Sequence, residues 1–209
     1  IMIKDLFSMT GKVCLVTGAS SGLGSYMAEG FLAAGAARVF ITGRSEDKLS
    51  KKADELSALS EGQCIPISGD LSGLEGVQAL AEAISERESH LDVLVNNAGL
   101  GLGTQIQTMT AKAWDKSMDL NTRSPLFLTQ ALLELLKAKA TLDDPSRVIF
   151  ISSIAASAVL PSVLAYSTSK NCFVARIIGV KHNPFGSSTY IYWASLNPLH
   201  FFIFTGNCS

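Results

Sequence analysis

Thr17-Gly18-Ala19-Ser20-Ser21-Gly22-Leu23-Gly24 stands between a short apolar run, KVCLVT (12–17), and a segment of helical period marked by Leu23, Met27 and Phe31. Each glycine has a physical reason to be there. Gly18 permits a tight turn, Gly22 lets backbone approach a pyrophosphate, and Gly24 lets the following helix pack close to the sheet. A helix that begins here offers free N–H groups and the positive end of its dipole to phosphate, and Ser20 and Ser21 add hydroxyl donors. The same glycines would also serve an ordinary strand-to-helix turn. The strand before and the amphipathic segment after favour dinucleotide binding.

Working outward, the same grammar repeats. RVFIT (38–42), CIPIS (64–68), LDVLV (91–95) and RVIFIS (147–152) are short apolar runs of the kind buried on both faces of a parallel sheet. Helical segments lie between them: 46–59 with Leu49, Leu56 and Leu59, 73–87 with Leu74, Val77, Leu80 and Ile84, and a long one over 110–138. Alternating strands and helices predict right-handed crossovers and an α/β fold, a Rossmann-type doubly wound parallel sheet in a single domain. A chain of 209 residues, 47% hydrophobic with 17 glycines, is large enough for one real core and excludes a disordered or collagen-like chain. A formal charge of −1 gives no electrostatic footprint for nucleic acid or an acidic membrane. The four cysteines (Cys14, Cys64, Cys172, Cys208) form no C-x-x-C pair, so neither a metal ribbon nor a disulfide framework is expected, and a reducing cytoplasmic setting is. The opening IMIKDLFSMTGK carries three charged residues, Lys4, Asp5 and Lys12, and no long apolar run, which predicts no signal peptide.

The end of the chain departs from this grammar. Residues 183–209 contain no Asp, Glu, Lys or Arg and hold seven of the 16 aromatic residues. The aromatic stretch 190–204 is shorter than the ~20 residues of a membrane helix and is interrupted by Asn197, Pro198 and His200, so no membrane span is expected. NCFVARI (171–177) begins like a helix, and Gly179, Asn183, Pro184 and Gly186 then break it. These signals divide the chain into a dinucleotide-binding domain, 10–178, and an atypical uncharged aromatic tail, 179–209, with the C-terminal strands of the sheet incomplete. Residues 190–193 have the composition to pair as a short strand.

The spacing G-x-x-x-G-x-G resembles the short-chain dehydrogenase/reductase family, and the resemblance continues in order. Asn96-Asn97-Ala98-Gly99 follows the fourth strand, Asn121 sits in MDLNTRSP, Ser153 ends the fifth strand, and Tyr166 and Lys170 form Y-S-T-S-K. The resemblance implies catalytic roles for Asn121, Ser153, Tyr166 and Lys170. The reaction implied is hydride transfer between a nicotinamide and a carbonyl or alcohol. Tyr166 would deliver the proton, and Lys170, four residues on and so on the same helix face, would favour its phenolate and reach the ribose. Ser153 would hydrogen-bond the substrate oxygen. The backbone carbonyl of Asn121 would hold a relay water. Pro125 removes the N–H that this carbonyl would otherwise meet, so it either strengthens the kink there or begins a new helical segment.

The cofactor implied is NADP(H). NAD-preferring relatives carry an acid at the end of the second strand; here Gly43 stands there and Arg44 follows, suited to a 2′-phosphate. The implied cofactor contacts are Gly18, Ser20, Ser21, Gly22, Leu23, Gly24, Arg44, Asp70, Leu71, Asn97, Ala98, Gly99, Tyr166 and Lys170. The segments 114–141 and 143–155 resemble the 3-oxoacyl-[acyl-carrier-protein] reductases of the rhamnolipid-biosynthesis type, which implies a small-molecule carbonyl or acyl substrate. Full-length relatives form homo-oligomers through the long helix and the helix carrying Tyr166. Against typical members this chain is shorter by about 40–60 residues. Two functions therefore stand: an NADPH-dependent carbonyl reductase, and a truncated, non-catalytic or merely NADP-binding chain derived from one.

Overall fold

The computed structural model of the chain describes residues 7–158, 160–172, 176–181 and 190–195. In chain order the elements are β1 (Val13–Val16), α1 (Gly22–Ala33), β2 (Arg38–Gly43), α2 (Glu46–Ser57), β3 (Gln63–Ser68), α3 (Leu74–Ser85) and β4 (Val93–Asn96). Then come α4 (Ala111–Met118), α5 (Ser124–Ala131), α6 (Leu133–Lys137), β5 (Ser146–Phe150), α7 (Leu164–Asn171), β6 (Arg176–Lys181) and β7 (Tyr190–Ser195). The sheet order is β3-β2-β1-β4-β5-β6-β7. The first five strands are parallel throughout. After β3 the chain returns to lay β4 beside β1, so crossovers leave in opposite directions from these two strands and a crevice opens at their carboxyl ends.

Strand alternation divides the core into two layers. Val13 and Leu15 of β1, with Phe40 and Leu94, pack against Val77, Leu80 and Ile84 of α3 and Leu128 and Leu136 of α5 and α6. Cys14 and Val16, with Val39, Ile41 and Val95, pack against Ala28 and Leu32 of α1 and Leu49, Ala53 and Leu56 of α2. Successive β residues point to opposite faces, so an unbroken apolar run is what a strand covered by helices on both sides requires. At the amino ends of the strands, Asp92 accepts the Val13 N–H at 2.8 Å and pairs with Lys12 at 3.2 Å, joining the start of β1 to the segment before β4.

The helix marked by Leu23, Met27 and Phe31 is α1; its buried face includes Gly24, Ala28 and Leu32, one position on, and Leu23 is 57% exposed. Small residues win because the helix lies close to the sheet, and Met27 and Phe31 cover its flank only in part. Two expectations for later elements need correction. The long segment 110–138 is not one helix. It is interrupted by a π turn, Asp119–Arg123, and again between α5 and α6. The helix expected from NCFVARI is not continued at its described end: α7 spans Leu164–Asn171, residues 173–175 lie outside the described residues, and Arg176–Lys181 is β6, paired antiparallel with β5. Gly179 and the β-branched Ile177, Ile178 and Val180 suit a strand better than a helix. β7 pairs antiparallel with β6, so a hairpin extends the sheet beyond β5 in place of further parallel crossovers. Residues 173–175, 182–189 and 196–209, which include most of the uncharged tail, lie outside the described residues.

Candidate active site

Thr17 ends the β1 run and ties the two loops of the crevice together. Its Oγ1 accepts the N–H groups of Asn97 at 3.0 Å and Ala98 at 2.9 Å. Asn97 Nδ2 returns the contact, donating to the carbonyls of Thr17 at 2.9 Å and Gly18 at 3.0 Å. The Asn97 side chain is thereby spent on holding the glycine turn. Gly18 has φ +65°, and a Cβ there would lie 2.8 Å from Ala98 Cα. A Cβ on Gly24 would lie 2.5 Å from the Gly18 carbonyl oxygen and 2.6 Å from Asn97 Nδ2. Gly22, at φ +62°, faces open space at the start of α1.

A cavity of about 460 Å³ opens beside this turn. It gathers Gly18, Ser20 and Ser21 from the turn, Thr42, Gly43 and Arg44 from the end of β2, Asp70 and Leu71 after β3, and Ala98 and Gly99 after β4. Gly69, Leu100, Leu102, Lys116 and Leu120 line it as well. Hydrogen bonds from Ser72, backbone first and then hydroxyl, hold the Asp70 carboxyl below the usual carboxylate range, and Arg44 and Lys116 add to this. Sequence reasoning missed Thr17 and Lys116. The first was visible only as a residue preceding the glycines, and the second only as one of many helical lysines.

The other half of the site lies on α7 and the π turn. In the turn Ser124 N–H bonds the Asp119 carbonyl, five residues back, and Pro125 falls in the first turn of α5, where its missing N–H costs little. The widened turn carries Asn121, which is 3% exposed. Its Nδ2 donates to the Leu100 carbonyl and to Ser169 Oγ, both at 2.9 Å, and its Oδ1 accepts the Leu100 N–H at 2.8 Å. Ser169 Oγ in turn donates to the Tyr166 carbonyl at 2.7 Å. Lys170 is 7% exposed, and its Nζ donates to the Ile151 carbonyl at 2.8 Å and stands 6.0 Å from the Tyr166 ring centre. Burial lowers its pKa below the ordinary lysine value. A Cβ on Gly99 would come within 3.0 Å of Asn121 Oδ1 and 3.1 Å of Lys170 Nζ, so the cofactor-side loop and these two groups meet at one point. A Cβ on Gly101 would touch the Tyr166 ring at 3.8 Å.

Ser153 caps a short 3₁₀ turn, Ile154–Ala156, its Oγ accepting the Ala155 N–H at 3.2 Å. That leaves its O–H free to donate. Neither Ser153 nor Tyr166 has a side-chain hydrogen bond to the other among the described residues. A larger cavity, about 910 Å³, lies between 104–107, 155–158 and the outer side of α7. None of Ser153, Tyr166 and Lys170 lines it, so its size is no argument for where chemistry occurs. Among the described residues no group of three or more His, Cys, Asp or Glu side chains could hold a metal ion, and no helix is long and apolar enough to cross a membrane.

Known proteins resemble this chain in sequence and in fold. The chain is 42% identical over 165 residues to the rhamnolipids biosynthesis 3-oxoacyl-[acyl-carrier-protein] reductase of Pseudomonas aeruginosa, covering 78% of this chain and 63% of that one. It is 32% identical to the 2-dehydro-3-deoxy-D-gluconate 5-dehydrogenase of Escherichia coli, covering 87% of this chain and 71% of that one. Among solved structures, the RhlG/NADP active-site complex of Pseudomonas aeruginosa superposes with a TM-score of 0.75 at 41% identity, covering 80% of this chain and 64% of that one. The NADP-bound 3-oxoacyl (acyl-carrier-protein) reductase of Agrobacterium tumefaciens gives 0.73 at 26% identity, covering 82% and 64%. The chain thus spans less than two thirds of the Pseudomonas reductase it resembles. Residues 12–178 match the family described as short chain dehydrogenase, and the chain belongs to that family.

Proposed function

We propose that this chain is an NADP(H)-dependent oxidoreductase that interconverts a ketone, of the 3-oxoacyl type, and its secondary alcohol. The observation that carries the reading is the meeting of Gly99, Asn121 and Lys170 at the edge of the nucleotide cavity, with Tyr166 on the same helix face as Lys170. The cavity fits a dinucleotide. Gly22 leaves open space at a helix start, Gly18 and Gly24 allow backbone approaches that no side chain would permit, and Arg44 meets no carboxylate at the end of β2. Gly18, Ser20, Ser21, Gly22, Leu23 and Gly24 would hold the pyrophosphate, Asp70 and Leu71 the adenine, Arg44 a 2′-phosphate, and Ala98, Gly99, Tyr166 and Lys170 the nicotinamide ribose. Asn97 contributes by fixing the turn. The bound cofactor supplies or accepts a hydride.

The protein's own groups manage the proton. The Tyr166 hydroxyl donates to the carbonyl oxygen, and Ser153 O–H stabilises the charge that develops there. Among the described residues no carboxylate pairs with the buried Lys170, so its cation favours the Tyr166 phenolate. Asn121 links the site to solvent through its backbone carbonyl. The unit that performs this is 10–178, with 179–209 appended, although β6 runs across that boundary. A reducing, cytoplasmic setting suits the buried free thiols Cys14 and Cys64.

A second reading, an NADP-binding chain without turnover, is favoured by one observation: α7 ends one residue past Lys170, and the next described element is β6, antiparallel to β5. Titration with NADPH and NADH tests the cofactor reading common to both. NADPH should bind more tightly than NADH by about tenfold or more, and Arg44→Asp should abolish that preference. Tighter NADH binding, or a preference unchanged in Arg44→Asp, would overturn it.

A further inference from the structure

We propose that Lys116 is a specificity-determining residue of the nucleotide cavity, a second cation that acts with Arg44 to favour a dinucleotide carrying a 2′-phosphate. This rests on the cofactor reading above. Lys116 lies in the last turn of α4 and lines the same cavity as Arg44. Leu120, four residues on, lines the cavity too, so one helical face supplies both an apolar and a charged contact. Leu71, Leu102 and Leu120 give that end of the cavity an apolar wall suited to a purine ring, and Arg44 and Lys116 add the positive charge beside it.

Neither cation is committed elsewhere. Among the described residues, no ion pair involves Arg44 or Lys116. The one carboxylate in the cavity, Asp70, is engaged by the N–H and O–H of Ser72 at 3.0 and 2.7 Å. Both cations act electrostatically on Asp70, which also lines the cavity, so Arg44 and Lys116 share one electrostatic neighbourhood. Positive charge there discriminates by charge. A phosphate monoester adds about 1.5–2 negative charges near neutrality, and NAD(H) has none at that position. The pyrophosphate, common to both cofactors, is served by the helix start instead.

Fluorescence titration of the full chain with NADPH and with NADH, in wild type, Lys116→Met and Lys116→Arg, tests this. Methionine keeps the aliphatic cover and removes the charge; arginine restores it. The expected result is a loss of NADPH affinity of about threefold to tenfold in Lys116→Met, shrinking as salt is raised, with NADH affinity changed by less than about twofold and Lys116→Arg close to wild type. Unchanged NADPH affinity in Lys116→Met, or equal loss for both cofactors, overturns the inference and leaves the cofactor reading standing. A wild-type chain that binds neither dinucleotide overturns both.

Discussion

Gly24 is the residue where space alone dictates identity. A single methyl group would collide with the carbonyl oxygen of Gly18 at 2.5 Å, and backbone, unlike a flexible side chain, has nowhere to retreat. Gly24→Ala should therefore destabilise the fold by about 1–3 kcal/mol and weaken dinucleotide binding with it. Urea denaturation checks the first effect, and unaltered stability would contradict it. Lys170 makes a prediction of opposite sign. Its pKa is lowered in the folded state by burial, so the folded chain binds fewer protons than the unfolded one in the window just below the ordinary value of 10.5. The destabilisation is full below the folded pKa and fades as pH rises toward 10.5. The stability of wild type relative to Lys170→Met should thus rise with pH across that window, although the same variant forfeits the site's cation. Melting curves of both proteins over the alkaline range test this, and a pH-independent difference would refute it. That the glycines form the turn after β1 and that Tyr166 and Lys170 share one helix was legible in the sequence because both depend on residue type and spacing. Thr17 was not, because a hydroxyl accepting two N–H groups from another loop leaves no trace in local sequence.

The π turn between α4 and α5 joins three pieces of chain through one side chain. Asn121 satisfies both backbone groups of Leu100 and reaches Ser169 on α7, so it fixes the loop after β4 relative to the helix of Tyr166 and Lys170. Asn121→Ala leaves the Leu100 N–H and carbonyl without these partners and should cost about 1–3 kcal/mol, with loss of turnover. A variant of wild-type stability, measured by thermal or urea unfolding, would show that water replaces the amide without penalty. The parallel strands were readable because burial on both faces leaves a continuous apolar run, and β1, β2 and β5 fall within two residues of their expected limits. The period of Leu23, Met27 and Phe31 marks α1 as a helix but does not name its buried face. Close helix–sheet packing selects Gly24 and Ala28 for that face. The strand β6 was misread as helix because apolar residues around 171–178 lack a period long enough to distinguish the two.

The sheet order places every functional loop at the carboxyl ends of β1, β2, β3, β4 and β5, and two apolar layers hold those ends in register. This much of the architecture follows from the alternation of short apolar runs and amphipathic segments. The antiparallel hairpin β6–β7 does not, because pairing across a long separation is decided by which edge is free rather than by local pattern. The catalytic reading requires that the parallel unit suffice to align Tyr166 and Lys170 with the nucleotide cavity. Loss of reduced-nicotinamide absorbance, followed in the full chain with NADPH and a 3-oxoacyl thioester, tests this most directly when wild type is compared with Tyr166→Phe. Wild type should oxidise NADPH measurably, and Tyr166→Phe should do so about a hundredfold more slowly or worse, with little change in NADPH affinity. Turnover by Tyr166→Phe at the wild-type rate, or NADPH binding by wild type with no oxidation, would contradict the catalytic reading.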